Sequence, residues 1–223
     1  PTGLDIGGEA EGLLPTPDWR KKTFESDWDK AWNPGDSIQL SIGQKDLLVT
    51  PLQMAAFYAM LANGGDVVTP HLVSDVEQPR AKGSPRVVLR QFAPSPPKPS
   101  GIDQAALSAV RDGLYLATHA SVGTSSGVFG EYPVQISGKT GTAEFGLPDA
   151  EGVLPFHSWF VAWLPSTPGA TDSPLAVITF TYRATVIGNV STEVVKYFLQ
   201  QYFELDQDLR LDPVTLRMLS GGN

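Results

Sequence analysis

Apolar positions along the chain gather into a few distinct runs, set apart by polar stretches rich in Gly and Pro. The clearest is Met54-Ala55-Ala56-Phe57-Tyr58-Ala59-Met60-Leu61-Ala62, apolar on every side, which predicts a buried helix. Its start is written in Thr50-Pro51-Leu52-Gln53: a Thr N-cap, Pro in the first turn, and Gln three residues after the cap. Asn63-Gly64-Gly65 supplies a left-handed stop. A second helix is expected after Asp103, where Leu107, Val110, Leu114 and Ala117 recur at spacings of three and four. A last helix carries Val194, Val195, Phe198, Leu199, Tyr202 and Phe203 on one broad stripe. Between these helices, 134–137 alternates like a strand, and 158–164 and 175–182 are strongly β-prone with a turn between them. Three adjacent strands in this order predict an antiparallel meander. Val67-Val68 and Val87-Val88-Leu89 read as short β pieces, 93–100 as a stiff Pro-rich connector, and 123–130 as a flexible loop. The first 46 residues read as loops and short elements that Trp19, Trp28 and Trp32 would pin onto a core, and 205 onward as a surface wrap. The fold class is therefore α/β of the α+β type, an antiparallel sheet flanked by helices.

Composition narrows the function. The chain has 223 residues, 16 Lys and Arg against 24 Asp and Glu, a formal net charge of −8, and no cysteine. An acidic chain without a basic cluster argues against nucleic acid as a partner, since phosphate neutralisation needs concentrated positive charge. The absence of Cys removes disulfides, thiol catalysis and Cys-type zinc sites. The three histidines are scattered, with no H-E-x-x-H, so neither a metal nor another cofactor is expected. His157, beside Trp159, reads as a strand residue packing near a site. The longest apolar stretch, 47–62, is interrupted by Thr50, Pro51 and Gln53 and cannot span a bilayer. With no signal peptide and a start at Pro1, the chain reads as part of something longer.

Several motif matches fail on context. Gly123-Thr124-Ser125-Ser126-Gly127 spells G-x-S-x-G, yet a helix precedes it and strands follow, the reverse of a nucleophile elbow. Gly138-Lys139-Thr140 ends like a P-loop, but position 133 is Pro133 instead of the first glycine. Gly35-Asp36-Ser37-Ile38 hints at an esterase signature without the late Asp-x-x-His that chemistry requires. What survives is Lys139-Thr140-Gly141-Thr142 on a strand. The Lys sets positive potential, the Thr hydroxyls donate to a carboxylate, and Gly141 admits a close backbone approach. An extended peptide could pair with such a strand edge. On these residues alone, an ordinary exposed strand with a solvated Lys stands equally well.

The order of blocks along the chain resembles class B penicillin-binding proteins. Thr2-Gly3-Leu4-Asp5-Ile6-Gly7-Gly8-Glu9-Ala10-Glu11-Gly12 is similar to the stretch following that family's second active-site motif. Trp32-Asn33-Pro34-Gly35-Asp36, Ser41-Ile42-Gly43-Gln44, Leu48-Val49-Thr50-Pro51-Leu52-Gln53 and Ala62-Asn63-Gly64-Gly65 resemble the next blocks. Ser137-Gly138-Lys139-Thr140-Gly141-Thr142-Ala143-Glu144 resembles the family's third motif, K-T-G, and His157-Ser158-Trp159-Phe160-Val161-Ala162 the strand after it. The resemblance implies a peptidoglycan D,D-transpeptidase, with 1–223 the C-terminal portion of its penicillin-binding domain. It implies Lys139 and Thr142 as catalytic residues, the amide of Thr142 lying in the oxyanion hole, and Thr140, Gly141 and Thr142 as substrate-binding residues. Implied partners are peptidoglycan stem peptides, β-lactam antibiotics, the N-terminal part of the same protein and a membrane glycosyltransferase. The implied location is extracytoplasmic, with the membrane anchor in a segment outside this chain. A β-lactam-sensing receptor domain and a serine β-lactamase are the alternatives on the same fold. The nucleophile is expected upstream of Pro1, because the S-x-x-K here, Ser95-Pro96-Pro97-Lys98, holds two prolines that forbid a helix.

Overall fold

The computed structural model describes residues 1–164, 175–184 and 190–205. Three short helices, α1 (Pro17–Thr23), α2 (Asp27–Lys30) and α3 (Pro34–Ser41), lead into α4 (Pro51–Ala62). Four short strands follow, β1 (Asp66–Val67), β2 (Asp75–Glu77), β3 (Val88–Gln91) and β4 (Lys98–Pro99), paired antiparallel as β1 with β4 and β2 with β3. Next come α5 (Gln104–His119) and the single turn α6 (Ser126–Phe129). The main sheet is β5 (Ser137–Glu144), β6 (Phe156–Leu164) and β7 (Leu175–Ala184), antiparallel in that order, and α7 (Val190–Tyr202) closes the described chain.

Helix α4 starts and stops where its sequence says. The Thr50 hydroxyl accepts from Gln53 N and the Gln53 side-chain oxygen accepts from Thr50 N, a reciprocal capping box. Gly64, at φ +91°, takes the left-handed turn that ends it. The helix is not buried all round, however: Phe57 is 47% exposed, because neighbours cover one side of α4 and the uniformly apolar run does not say which. Asp103 caps α5 by accepting from Ala105 N and Ala106 N. Of the stripe expected on α5, Leu107 is buried while Val110 stays exposed.

Strand β6 holds the molecule together because both its faces are covered. Phe160, Ala162 and Leu164 pack with Phe129 of α6, Val134 and Ile136 before β5, and Val195 and Leu199 of α7. Val161 and Trp163, pointing the other way, pack with Tyr58, Met60, Leu61 and Ala62 of α4 and Leu107 of α5. Each fully buried large side chain in these clusters contributes roughly 1.5–3 kcal/mol of transfer free energy. The sheet is thus sandwiched between helices, as the element order implied.

Two local expectations are corrected. The stretch 123–130 is not a flexible loop; it contains α6, and Phe129 and Ser125 are both fully buried. The three Trp residues do not act together as anchors. Trp19 packs edge-on against Phe24 and the Trp32 ring N–H donates to Ser37 Oγ, but Trp28 is 85% exposed. The N-terminal segment is fastened by backbone and charge instead. Leu13 and Leu48 exchange both backbone hydrogen bonds, and Arg20 Nη1 meets the buried Asp36 carboxylate at 3.0 Å. The turn expected at 165–174 lies outside the described residues, as does the tail from 206 onward.

Candidate active site

Strand β5 pairs with β6 on one side, in register Lys139 with Val161, Thr140 with Phe160, Gly141 with Trp159 and Thr142 with Ser158. Alternation along a strand puts Lys139 and Gly141 on the face toward α4, and Thr140 and Thr142 on the opposite face. The four residues converge at the rim of β5, the edge strand of the described sheet, where the Lys139 side chain turns over the edge. Lys139 Nζ lies 3.1 Å from Thr140 Oγ1, 3.2 Å from Thr140 O and 3.4 Å from Thr124 Oγ1. Thr140 Oγ1 donates in turn to Thr124 Oγ1 at 3.3 Å. Partial burial lowers the Lys139 pKa below its ordinary 10.5, since desolvation disfavours the charged amine.

Residues 139–142 border a cavity of about 630 Å³. One wall is β5 with Trp159 and Phe180 of the sheet; the other is the segment between α3 and α4, including Gln44 and Leu47, with Tyr58 at its base. Space is tight at Gly141: a Cβ there would sit 3.2 Å from the Trp159 side chain, which would have to give by a few tenths of an ångström. Gly138 is tighter still, with Ala162 Cβ 2.7 Å and Val161 O 2.8 Å from where its Cβ would be. His157 faces the same cavity, its ring stacked at 4.1 Å on Phe145 and 5.0 Å from Tyr182. Its Nδ1 accepts from Arg183 N at 3.2 Å. Burial, then the Arg183 charge, pushes its pKa below the usual 6.5, so the ring is neutral at pH 7.

Two residues at the rim were not among the expected site residues, although Gln44 stands in the Ser41-Ile42-Gly43-Gln44 block that resembles the family. Thr124 lies inside the G-x-S-x-G match, and the next residue, Ser125, is fully buried. Gln44 Nε2 donates to Thr142 O at 2.8 Å, a contact spanning 98 residues of chain. Among the described residues, the hydroxyls hydrogen-bonded to the Lys139 amine belong to threonines, Thr124 and Thr140. Such a rim is suited to holding an anion and pairing with an extended chain.

The site is thus a Lys-Thr-Gly rim over a cavity, carried on a helix-flanked antiparallel sheet. The model of the penicillin-binding protein transpeptidase domain matches residues 1–177, and the chain belongs to that family. The peptidoglycan D,D-transpeptidase MrdA of Haemophilus influenzae is 30% identical over 215 residues, covering 90% of this chain and 31% of that protein. MrdA of Escherichia coli K12 is 34% identical over 147 residues, covering 66% of this chain and 22% of the relative. In solved structures, Pseudomonas aeruginosa PBP2 matches with a TM-score of 0.68 at 27% identity, over 95% of this chain and 41% of that one. A peptidoglycan synthase complex matches with a TM-score of 0.66 at 30% identity, over 95% of this chain and 32% of that one. The chain therefore spans about a third or less of the length of these curated relatives.

Proposed function

We propose that residues 1–223 form the C-terminal portion of a serine D,D-transpeptidase domain that cross-links peptidoglycan stem peptides. The observation that carries this reading is the Lys139 amine, held by Thr140 and Thr124 at the rim of an edge strand bordering a cavity. Family membership and relatives that are D,D-transpeptidases support it. In the reaction, a serine outside 1–223 attacks the carbonyl of the penultimate D-Ala of a stem peptide, and terminal D-Ala leaves with a proton. The amine of a neighbouring strand then attacks the acyl-enzyme, and the serine recovers its proton. A β-lactam acylates the same serine and stays.

Each rim residue has a role in that sequence. Lys139 holds positive potential in the cleft and takes part in proton traffic. Thr140 and Thr142 bind the terminal carboxylate, and Gly141 lets the substrate backbone approach. The amide N–H of Thr142 supplies one oxyanion donor, a contribution on the order of 3 kcal/mol. The anchor and location follow the same reading: an extracytoplasmic domain tethered to the membrane by a segment outside this chain. Among the described residues no helix is long and apolar enough to cross a bilayer. A membrane glycosyltransferase is the further partner, in line with a similar structure that couples polymerisation to cross-linking.

The test is intact-mass measurement of the full-length protein with benzylpenicillin, followed by mapping of the labelled peptide. One adduct per protein, on a serine outside 1–223, is expected. An adduct on any serine within 1–223 overturns the placement of the nucleophile, and no adduct at all overturns the function.

A further inference from the structure

The contact between Gln44 and Thr142 carries more than a fastening role. Thr140 O and Thr142 O lie two residues apart on β5 and so face the same edge. Both already hold a side-chain donor: Lys139 Nζ at 3.2 Å on the first, and Gln44 Nε2 at 2.8 Å on the second. An extended chain that adds itself to an open strand must offer its N–H groups to carbonyls of this kind. Gln44 therefore occupies a position that an incoming chain needs.

Its placement is built in. Gln44 sits between Gly43 at φ +75° and Lys45 at φ +67°, the second a conformation that lysine rarely adopts. The Lys45 ammonium pairs with Asp36, which is buried and also receives Arg20. With its neighbour tied down from behind, the Gln44 side chain is aimed across the cavity at β5.

We propose that Gln44 is a specificity-determining residue of this site: its amide stands in for a substrate N–H at the Thr142 carbonyl and yields only to a ligand that brings an N–H of its own. The proposal rests on the transpeptidase reading. A ligand with a suitably placed amide N–H exchanges one hydrogen bond for another; a ligand without one gains nothing from displacing Gln44. Removing Gln44 frees the carbonyl and should favour the first kind of ligand selectively.

The experiment uses the full-length protein and its Gln44→Ala and Gln44→Met variants, the second keeping the side-chain length without a donor. Acylation kinetics are separated into the dissociation constant of the initial complex and the rate constant of acylation. The probes are benzylpenicillin, which carries an acylamino N–H, and a carbapenem, which lacks it. Both variants are expected to bind benzylpenicillin two- to tenfold more tightly in the first step, the range that a net hydrogen bond of about 0.5–1.5 kcal/mol yields. The acylation rate constant, and carbapenem binding, should stay within about twofold of wild type. Unchanged benzylpenicillin binding, or parallel changes for both ligands, overturns the proposal while leaving the transpeptidase reading intact. A wild-type protein that neither ligand acylates overturns both. Melting curves identify a variant that has not folded, in which case the other variant decides.

Discussion

A lysine whose amine is partly withdrawn from water brings little stability and considerable chemistry. Desolvation lowers the Lys139 pKa, but the residue remains exposed, so its charge bears little on the stability of the fold. In the full-length protein, Lys139→Ala should therefore leave the melting temperature nearly unchanged. The same substitution should slow acylation by benzylpenicillin at least about tenfold, or roughly 1.4 kcal/mol of barrier. An unaltered rate would remove Lys139 from the mechanism. His157 makes the opposite kind of expectation, one of stability against pH. Its neutral ring accepts from Arg183 N and stacks on Phe145, and its folded pKa lies below 6.5. As pH falls through 6.5 the unfolded chain takes up the proton first, so stability is lost from there down to the folded pKa. The melting temperature should drop as pH falls below about 6.5, and His157→Gln should flatten that slope. Equal slopes in wild type and variant would show that other groups carry the dependence.

At the scale of elements, legibility in the sequence tracked how local the deciding interaction is. The limits of α4 were readable because the Thr50–Gln53 box and the glycines after Asn63 act within a few residues. Thr50→Ala should accordingly cost about 1 kcal/mol, measured by urea denaturation, with little effect on acylation. The three-strand meander was legible because alternation and β-branched residues need no partner to be recognised. Helix α6 was not, since a single turn is too short to show a period, and only the core around Phe129 reveals why it is ordered. The site divided along the same line. Lys139, Thr140, Gly141 and Thr142 are contiguous and stood out as a motif, though which of their two strand faces looks toward α4 emerged only with the sheet. Thr124 and Gln44 reach the rim from 15 and 98 residues away, and nothing in their neighbourhoods marks that encounter.

Across the whole molecule, the N-terminal segment that looked least ordered proves to set the cavity's second wall. Asp36 is its hub: it accepts from Asn33 N, pairs with Arg20 and Lys45, and is almost fully buried. Asp36→Ala removes the buried partner of Arg20, which keeps Asp29 O and Asp46, so it should cost about 1–3 kcal/mol in urea denaturation. Because Lys45 neighbours Gln44, the same variant should also change benzylpenicillin binding; a stability loss with wild-type binding would separate the hub from the site. The open rim of β5 has a consequence of another kind. An exposed strand edge is a template for any strand that meets it, including that of a second copy of the protein, and proteins often guard such edges with charge. Here the guard and the reader are the same groups. The ammonium of Lys139 and the amide of Gln44 sit on the outward carbonyls, so a passing sheet finds those acceptors occupied and a like charge facing it. Colloidal behaviour at high concentration is thus tied to ligand recognition, and a rim altered to accept new ligands gives up part of its resistance to self-association.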